Sequence, residues 1–388
     1  MTSRPRSERA TQNRLVALLT APMADGGLGF RHLGDWSGQP RRLGIEEGLL
    51  RANLTERGYS DAQISAAILK LRQATQVLGT TLYQAALRSY QLLRYGVDVQ
   101  TEAGQPHSTV HLVDWANPAL NDFALAEEVT LKGGHERRPD IVIYLNGLAM
   151  AVIELKRSSG EIGDGIRQMI TNQEPIFNEA FFPTVQLLLA GSDAQGLHYG
   201  TTGTPEKFFV QWKDEDPPID TPAEGALLDR PVTQMLRPDR LLDLIRNFVI
   251  FDAGQKKVPR QHQFKAVKLT QQRIGRREGG VIWHTQGSGK SILMVLIAKW
   301  LMEFDPEARV LIVTDRDELD KQISGVMRNA GVIAKDAPSP RITSRAEFVD
   351  KLGSAAPRLL CALIHKFDTA DLKEYTPKVA GAVLCLCR

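Results

Sequence analysis

Over the first 95 residues the apolar positions keep a helical rhythm. Leu15, Ala17, Leu18 and Leu19 form a short apolar face after Ser7 and Glu8. Ile64, Ile68 and Leu71 recur on one face of a helix predicted over 61–76, with Ser60 as its cap. Further helices are predicted over 45–57, stopped by Gly58, and over 81–93. The pattern then changes period. Residues 110–117, 123–131, 139–145 and 148–155 read as strands, with Asn146-Gly147 as the turn between the last two. The text IVIYLNGLAMAVI is apolar on both strand faces, which places these two strands centrally in a sheet. A helix around 163–178 and strands at 184–190 and 208–212 complete an α/β domain.

The polar, Pro-rich stretch KDEDPPIDTPA at 213–223 predicts a boundary. Beyond it the pattern gives helices over 238–250, 264–274, 291–302 and 318–326. Strands are predicted at 280–283, 309–314, 359–364 and 379–385. Strands alternating with helices imply a second, parallel α/β domain. The expected organisation is a domain over 1–213, a connector over 214–255 and a second domain over 256–388.

Composition narrows the class. Charged residues are 24% and the hydrophobic set 43%, so a largely disordered chain is excluded. A formal charge of +3 gives no global basic field, and any nucleic-acid surface must be local. Three cysteines exclude a disulfide scaffold and fit a reducing, cytoplasmic setting. The N-terminal apolar run is broken by charges and too short to span a membrane.

Two constellations carry chemistry. The first is His284-Thr285-Gln286-Gly287-Ser288-Gly289-Lys290-Ser291, between an apolar strand-like run and a helix. Its glycines let backbone N–H groups curl around phosphate, Lys290 can reach the β/γ oxygens of ATP, and Ser291 can ligate Mg²⁺. His284 stands where the usual pattern has its first Gly. Gln263, 27 residues before Lys290, can read both edge groups of adenine. Between Lys256 and Arg277 there are eight Lys or Arg and no acid, a run able to hold phosphates.

The second is Asp140, then Glu154-Leu155-Lys156. Asp140 opens one apolar strand and Glu154 closes the next. Side chains alternate along a strand, so Glu154 and Lys156 share a face. Two adjoining carboxylates can hold Mg²⁺, for which Mn²⁺ can substitute, and a lysine beside them can position a water. The expected product is a hydrolytic centre for phosphodiesters. The spacing makes a demand. With a plain two-residue turn Asp140 would face Ile153, so direct pairing with Glu154 requires an odd loop or a bulge. Further candidates are Glu8 on the first helix, Gln168 on the helix after Lys156, and one of Glu127 and Glu128.

Both constellations in this order resemble the N-terminal part of the restriction (R) subunit of type I restriction–modification enzymes. The resemblance rests on NDFALAEEV (121–129), RRPDIVIYLNG (137–147), AVIELKRSS (151–159), GIRQ (165–168), GLHYGT (196–201), FVIFDAG (248–254), the phosphate loop, and RVLIVTDRDELDKQI (309–323). It implies a mixed-sheet PD-(D/E)xK nuclease domain followed by an incomplete parallel RecA-like P-loop domain. It also implies site-specific cleavage of double-stranded DNA coupled to ATP-driven translocation, with modification (M) and specificity (S) subunits as partners and no membrane. Asp140, Glu154 and Lys156 then match the metal ligands and lysine, Glu8 the early helical Glu, and Gln168 the Gln of a Gln-x-x-x-Tyr element. Position 172 is Asn instead of Tyr. Thr314-Asp315-Arg316 and Ala362–Phe367 match later motor motifs. No DEAH or DExH box is present, so the chain reads as a fragment or truncated form whose ATP turnover is expected to be absent. Two other readings share the sequence: a nucleotide- and DNA-binding remnant, and a P-loop ATPase with a non-nuclease scaffold domain.

Overall fold

Four helices open the chain, as the apolar spacing predicts: α1 (Glu8–Thr20), α2 (Glu47–Glu56), α3 (Asp61–Ala74) and α4 (Leu82–Tyr95). Ser60 caps α3 in a reciprocal capping box with Gln63. The computed structural model describes residues 7–102, 104, 106–213, 226–315, 323, 325–328, 333, 339–364 and 383–387. It falls into two compact units. The first runs to Val249 and includes Gly254–Arg260; the second takes Ile250–Ala253 and the chain from Gln261.

The first unit is built on a seven-stranded sheet. Along the chain come β1 (Arg31–Asp35), a hairpin of β2 (Val97–Val99) and β3 (Ser108–Val110), and β4 (Phe123–Glu127). A second small hairpin, β5 (Leu131–Lys132) with β6 (Glu136–Arg137), precedes β7 (Ile141–Leu145) and β8 (Leu148–Leu155). Helix α5 (Ile162–Asn172) leads to β9 (Leu187–Ser192), β10 (Gly196–Gly200) and β11 (Val210–Gln211). The sheet order is β1-β4-β7-β8-β9-β10-β11. It is mixed: β1 with β4 and β8 with β9 run parallel, the other pairs antiparallel. β7 and β8 are buried along their whole length at its centre, as their two-faced apolar text predicts. One face gathers Ala126, Val142, Tyr144, Val152 and Leu188 under Ile166 and Met169 of α5 and Phe181 and Phe182. Truncating a ring such as Phe181 to Ala would cost about 3–5 kcal/mol. Helices α1 and α6 (Ala226–Leu236) pack on the other side.

Asn146 and Gly147 turn the β7–β8 hairpin at φ 52° and 80°, the left-handed pair such a turn requires. The turn is buried. Asn146 Nδ2 donates to the Leu112 carbonyl and to Asn121 Oδ1, each at 2.9 Å, and its Oδ1 accepts from Asp122 N at 2.7 Å. A Cβ at Gly147 would meet the Glu46 carbonyl at 2.6 Å.

Several expectations need correction. The strand predicted over 110–117 stops at Val110, because Asp114 accepts from the amides of Ala116 and Asn117 and turns the chain. The run 123–131 breaks at Glu128, whose φ of 50° ends the ladder. Helix α5 ends at Asn172, short of the predicted 178, ahead of Pro175. The helix predicted over 238–250 is α7 (Pro238–Asp243) followed by a π turn, Leu244–Phe248. The polar 213–223 stretch lies outside the described residues beyond Lys213, and Ala226–Val249 packs within the first unit.

Short strands β12 (Ile250–Asp252) and β13 (Gln255–Lys257) precede α8 (Gln261–Gly275) and α9 (Lys290–Phe304). β14 (Arg309–Thr314) then lies between β15 (Leu359–Leu363) and β16 (Val383–Cys387), both parallel to it, with α10 (Arg345–Gly353) before β15. Three parallel strands, with α10 between β14 and β15 along the chain, match the predicted class. The strand predicted at 280–283 is not formed: Val281 and Trp283 are 88% and 90% exposed, and no described strand pairs with them. Arg316, most of 318–326, and His365–Phe367 lie outside the described residues. Among the described residues no helix is long and apolar enough to cross a membrane.

Candidate active site

The two carboxylates meet through a bulge. At the turn Leu145 pairs with Leu148 and Tyr144 with Ala149, but Ile143 pairs with Ala151 and Ile141 with Ile153. Met150 is therefore an extra residue in β8. The next positions outward are Asp140 and Glu154, so the two acids stand opposite each other on one side of the sheet. Asp140 Oδ2 accepts from the amide of Leu155 at 2.6 Å. Without the bulge the same turn would set Asp140 against Ile153.

Both acids are deeply buried, Asp140 at 7% and Glu154 at 2% exposure. Lys156 Nζ donates to Glu154 Oε1 at 3.0 Å and to Gln168 Oε1 of α5 at 3.3 Å. Gly165 on α5 lies directly over them: a Cβ there would stand 3.4 Å from Glu154 Cγ and Lys156 Cε. Burial pushes the Asp140 carboxyl up to about 7, against the Leu155 amide; the charges of Glu8 and Glu128 add to the rise. Burial pushes Glu154 up to about 8, with Asp140 and Glu8 adding and Lys156 opposing. Burial alone would lower Lys156, but Glu154 beside it raises it, so this lysine stays a cation. Asp140, Glu154, Lys156 and Gln168 thus come together at one end of the sheet, and the charge of Glu8 acts on both acids.

Glu127 and Glu128 have different partners. Glu127 is taken up by Gln12 Nε2 at 3.0 Å and His32 Nε2 at 3.0 Å. Glu128, paired with Arg9 at 3.1 Å, is the one whose charge acts on Asp140. Gln12 and Gly165 were not singled out in the sequence. A Gln one turn after Glu8 and a Gly opening a helix were the available signals, and both are common.

A hard cation fits the pair on an observation of the fold itself. Glu154 Oε2 is buried with no hydrogen-bond partner, an arrangement that costs free energy unless something positive lies against it. Among the described residues no three His, Cys, Asp or Glu side chains converge as a ready-made cation site. Two carboxylates completed by waters and substrate oxygens are the usual Mg²⁺ arrangement.

In the second unit the glycine loop expected to bind phosphate enters α9 with Gly287 and Gly289 at φ 77° and 84°. α9 begins at Lys290, which puts Ser291 in its first turn. Lys290 Nζ donates to the carbonyls of His284 at 3.0 Å and Thr285 at 3.1 Å. Gln263 is 4% exposed, and its Nε2 donates to the Ser288 carbonyl at 3.1 Å. The expected adenine reader is thus bound to the loop's own main chain. His262 also meets Ser288 O at 3.0 Å, and its ring stands edge-on to His284. Thr285 and Gln286 are exposed at the loop's tip.

Residues 8–207 match the family described as type I restriction enzyme R protein N terminus, and residues 262–384 match the SWI2/SNF2 ATPase family. The chain is 32% identical over 278 residues to the type I restriction enzyme HindI endonuclease subunit of Haemophilus influenzae, covering 64% of this chain and 26% of that one. It is 24% identical over 307 residues to the type I restriction enzyme SsaAORF53P endonuclease subunit of Staphylococcus saprophyticus, covering 77% and 31%. The chain therefore spans between 26% and 31% of the length of these two relatives.

Proposed function

The chain belongs to the family of type I restriction enzyme R proteins, and from that premise we propose that its first unit hydrolyses DNA phosphodiesters with a divalent metal and that its second begins an ATP-driven translocase. In this reading the first unit is a PD-(D/E)xK nuclease fold and the second a first RecA-like lobe. The observation that carries the reading is the register shift at Met150, which sets two buried acids opposite each other with Lys156 bonded to one of them.

Asp140 and Glu154 are the residues that would hold the metal, as ionised carboxylates. Mg²⁺, replaceable by Mn²⁺, supplies positive charge to the phosphate oxygens when bound. Lys156 remains protonated beside Glu154, so it acts as a donor to the scissile phosphate or the attacking water, and not as the base. Gln168 holds the ammonium from above. Glu8 adds a third carboxylate charge at the same opening.

In the second unit Thr285–Ser291 would cradle the phosphates of ATP, with Lys290 as their counter-charge, Ser291 as the side chain that would hold Mg²⁺, and Gln263 as the adenine reader. Double-stranded DNA is the substrate, the modification and specificity subunits are the partners, and the setting is cytoplasmic. Metal-dependent nicking of supercoiled plasmid, lost in Asp140→Ala and Lys156→Ala, tests the nuclease assignment. Wild-type nicking in either variant would refute it.

A further inference from the structure

Gln12 is a polar side chain buried in α1 at 2% exposure, one helical turn after Glu8. An amide at that depth has to satisfy its N–H groups inside the protein. Its Nε2 donates to Glu127 Oε2 at 3.0 Å and to the main-chain carbonyl of Asp140 at 3.2 Å. The same carbonyl accepts from the amide of Glu128 at 2.9 Å. Asp140 lies just outside the last β7–β8 pair. Its carboxyl is tied to β8 through Leu155 N, while its peptide is tied to α1 and the end of β4.

α1 has other anchors that never touch Asp140. Arg14 bonds Asp193 and Asp229, and Thr11 Oγ1 donates to Asp193 at 3.2 Å. Docking of the helix therefore does not depend on Gln12 alone. What Gln12 adds is a direct bond to the backbone of a proposed metal ligand, and a second bond to the buried carboxylate on the neighbouring strand.

We propose that Gln12 is a positioning residue for the Asp140–Glu154 pair, setting the direction of the Asp140 carboxyl through its peptide. This rests on the metal-site reading given above. Removing the amide leaves the Asp140 carbonyl with one donor, the Glu128 amide, and Glu127 Oε2 with only the Arg9 guanidinium at 3.6 Å. The Asp140 peptide is then held from β4 alone, and a site that must hold two carboxylates in register loosens.

The test uses the 388-residue protein, with Mn²⁺ affinity by calorimetry, metal-free melting, and the Mn²⁺ dependence of plasmid nicking. Gln12→Met should weaken Mn²⁺ binding roughly tenfold, within the range for residues that orient metal ligands. Nicking should need correspondingly more Mn²⁺, with less change in the saturated rate. Gln12→Asn keeps the amide on a shorter stem; it should fold even where Gln12→Met does not, and show a smaller loss of the same kind. Arg14→Met, which breaks the other anchor, should lower the melting temperature and leave Mn²⁺ affinity near wild type. Wild-type affinity in both Gln12 variants, or an equal loss in Arg14→Met, would overturn the assignment. Equal Mn²⁺ binding by wild type and Asp140→Ala is a distinct result: it would refute the metal site itself, and this inference with it.

Discussion

Asp140 stands opposite Glu154 across β7 and β8 because Met150 is one residue more than a regular ladder can pair. Met150 is fully buried, and its carbonyl accepts from Gln186 N at 2.7 Å, so the bulge is built into the packing of the sheet. Opposed residues in an antiparallel pair share a face. This one irregularity is what makes a facing pair out of two acids at the ends of apolar strands.

The buried acids predict a pH signature. The Asp140 and Glu154 carboxyls rise from their ordinary values of 3.8 and 4.5 to about 7 and about 8 in the folded chain, chiefly through burial. Raised carboxyl values mean the folded state holds protons that the unfolded chain has released. Their stabilisation is complete below about pH 4 and is lost as pH rises through 7 to 8. Melting of metal-free protein between pH 5 and 8.5 should show a fall that is smaller in Asp140→Asn, which keeps an acceptor for Leu155 N. Added Mn²⁺ should raise the wild-type melting point more at pH 8.5 than at pH 6, since binding displaces those protons. Identical pH profiles for wild type and Asp140→Asn would count against the raised carboxyl.

Lys156 should separate binding from chemistry. Lys156→Met removes the bonds to Glu154 and Gln168 but leaves both carboxylates. Mn²⁺ should still bind by calorimetry, while nicking should fall by about 100-fold or more, as for loss of a transition-state donor. Retained nicking would show that the lysine serves only to neutralise Glu154.

The hairpin turn should be costly to alter. Asn146→Ala removes three hydrogen bonds, two of them buried, and puts Ala at a φ of 52°. A loss of about 2–4 kcal/mol is expected in urea unfolding followed on the first unit. Asn146→Gly, which tolerates the angle, should lose less. Equal losses would remove backbone strain from the explanation.

In the second unit, Lys290→Ala should abolish binding of a fluorescent ATP analogue by deleting the charge that meets the phosphates. Gly289→Ala should weaken it as well, because φ is 84° there and a Cβ would run into the Gln263 amide. ATP hydrolysis by the purified chain should stay near background. Robust DNA-stimulated turnover would contradict the missing DExH carboxylates.

The elements legible in the sequence were those whose own side chains decide them. α1 to α4 show a single apolar stripe, β7 and β8 show two apolar faces, and Asn146-Gly147 names its turn. β1 was not legible: its RHLGD text is polar and largely exposed, and it is a strand only because β4 offers a parallel edge. α6 hid behind Pro231. Val281–Trp283 has strand composition, but a strand also needs a neighbour, and composition does not supply one. The carboxylates and Lys156 were legible as a motif, together with their need for a bulge. The bulge itself was not, since nothing in LAMAVIEL marks Met150. Gln12 and the division of roles between Glu127 and Glu128 depend on α1 crossing the sheet, a long-range contact with no local signal.

The most direct test of the central claim is relaxation of supercoiled plasmid at low salt and high protein, with Mn²⁺, comparing wild type, Asp140→Ala and Lys156→Ala prepared alike. Wild type should nick slowly and without sequence preference, depend on Mn²⁺ or Mg²⁺, and ignore ATP, since hydrolysis of a phosphodiester is downhill and needs only local chemistry. Both variants should be inactive while melting as folded proteins. Nicking that survives in folded Asp140→Ala or Lys156→Ala, or wild-type nicking that persists in EDTA, would contradict the assignment of these residues as a metal-dependent hydrolytic centre.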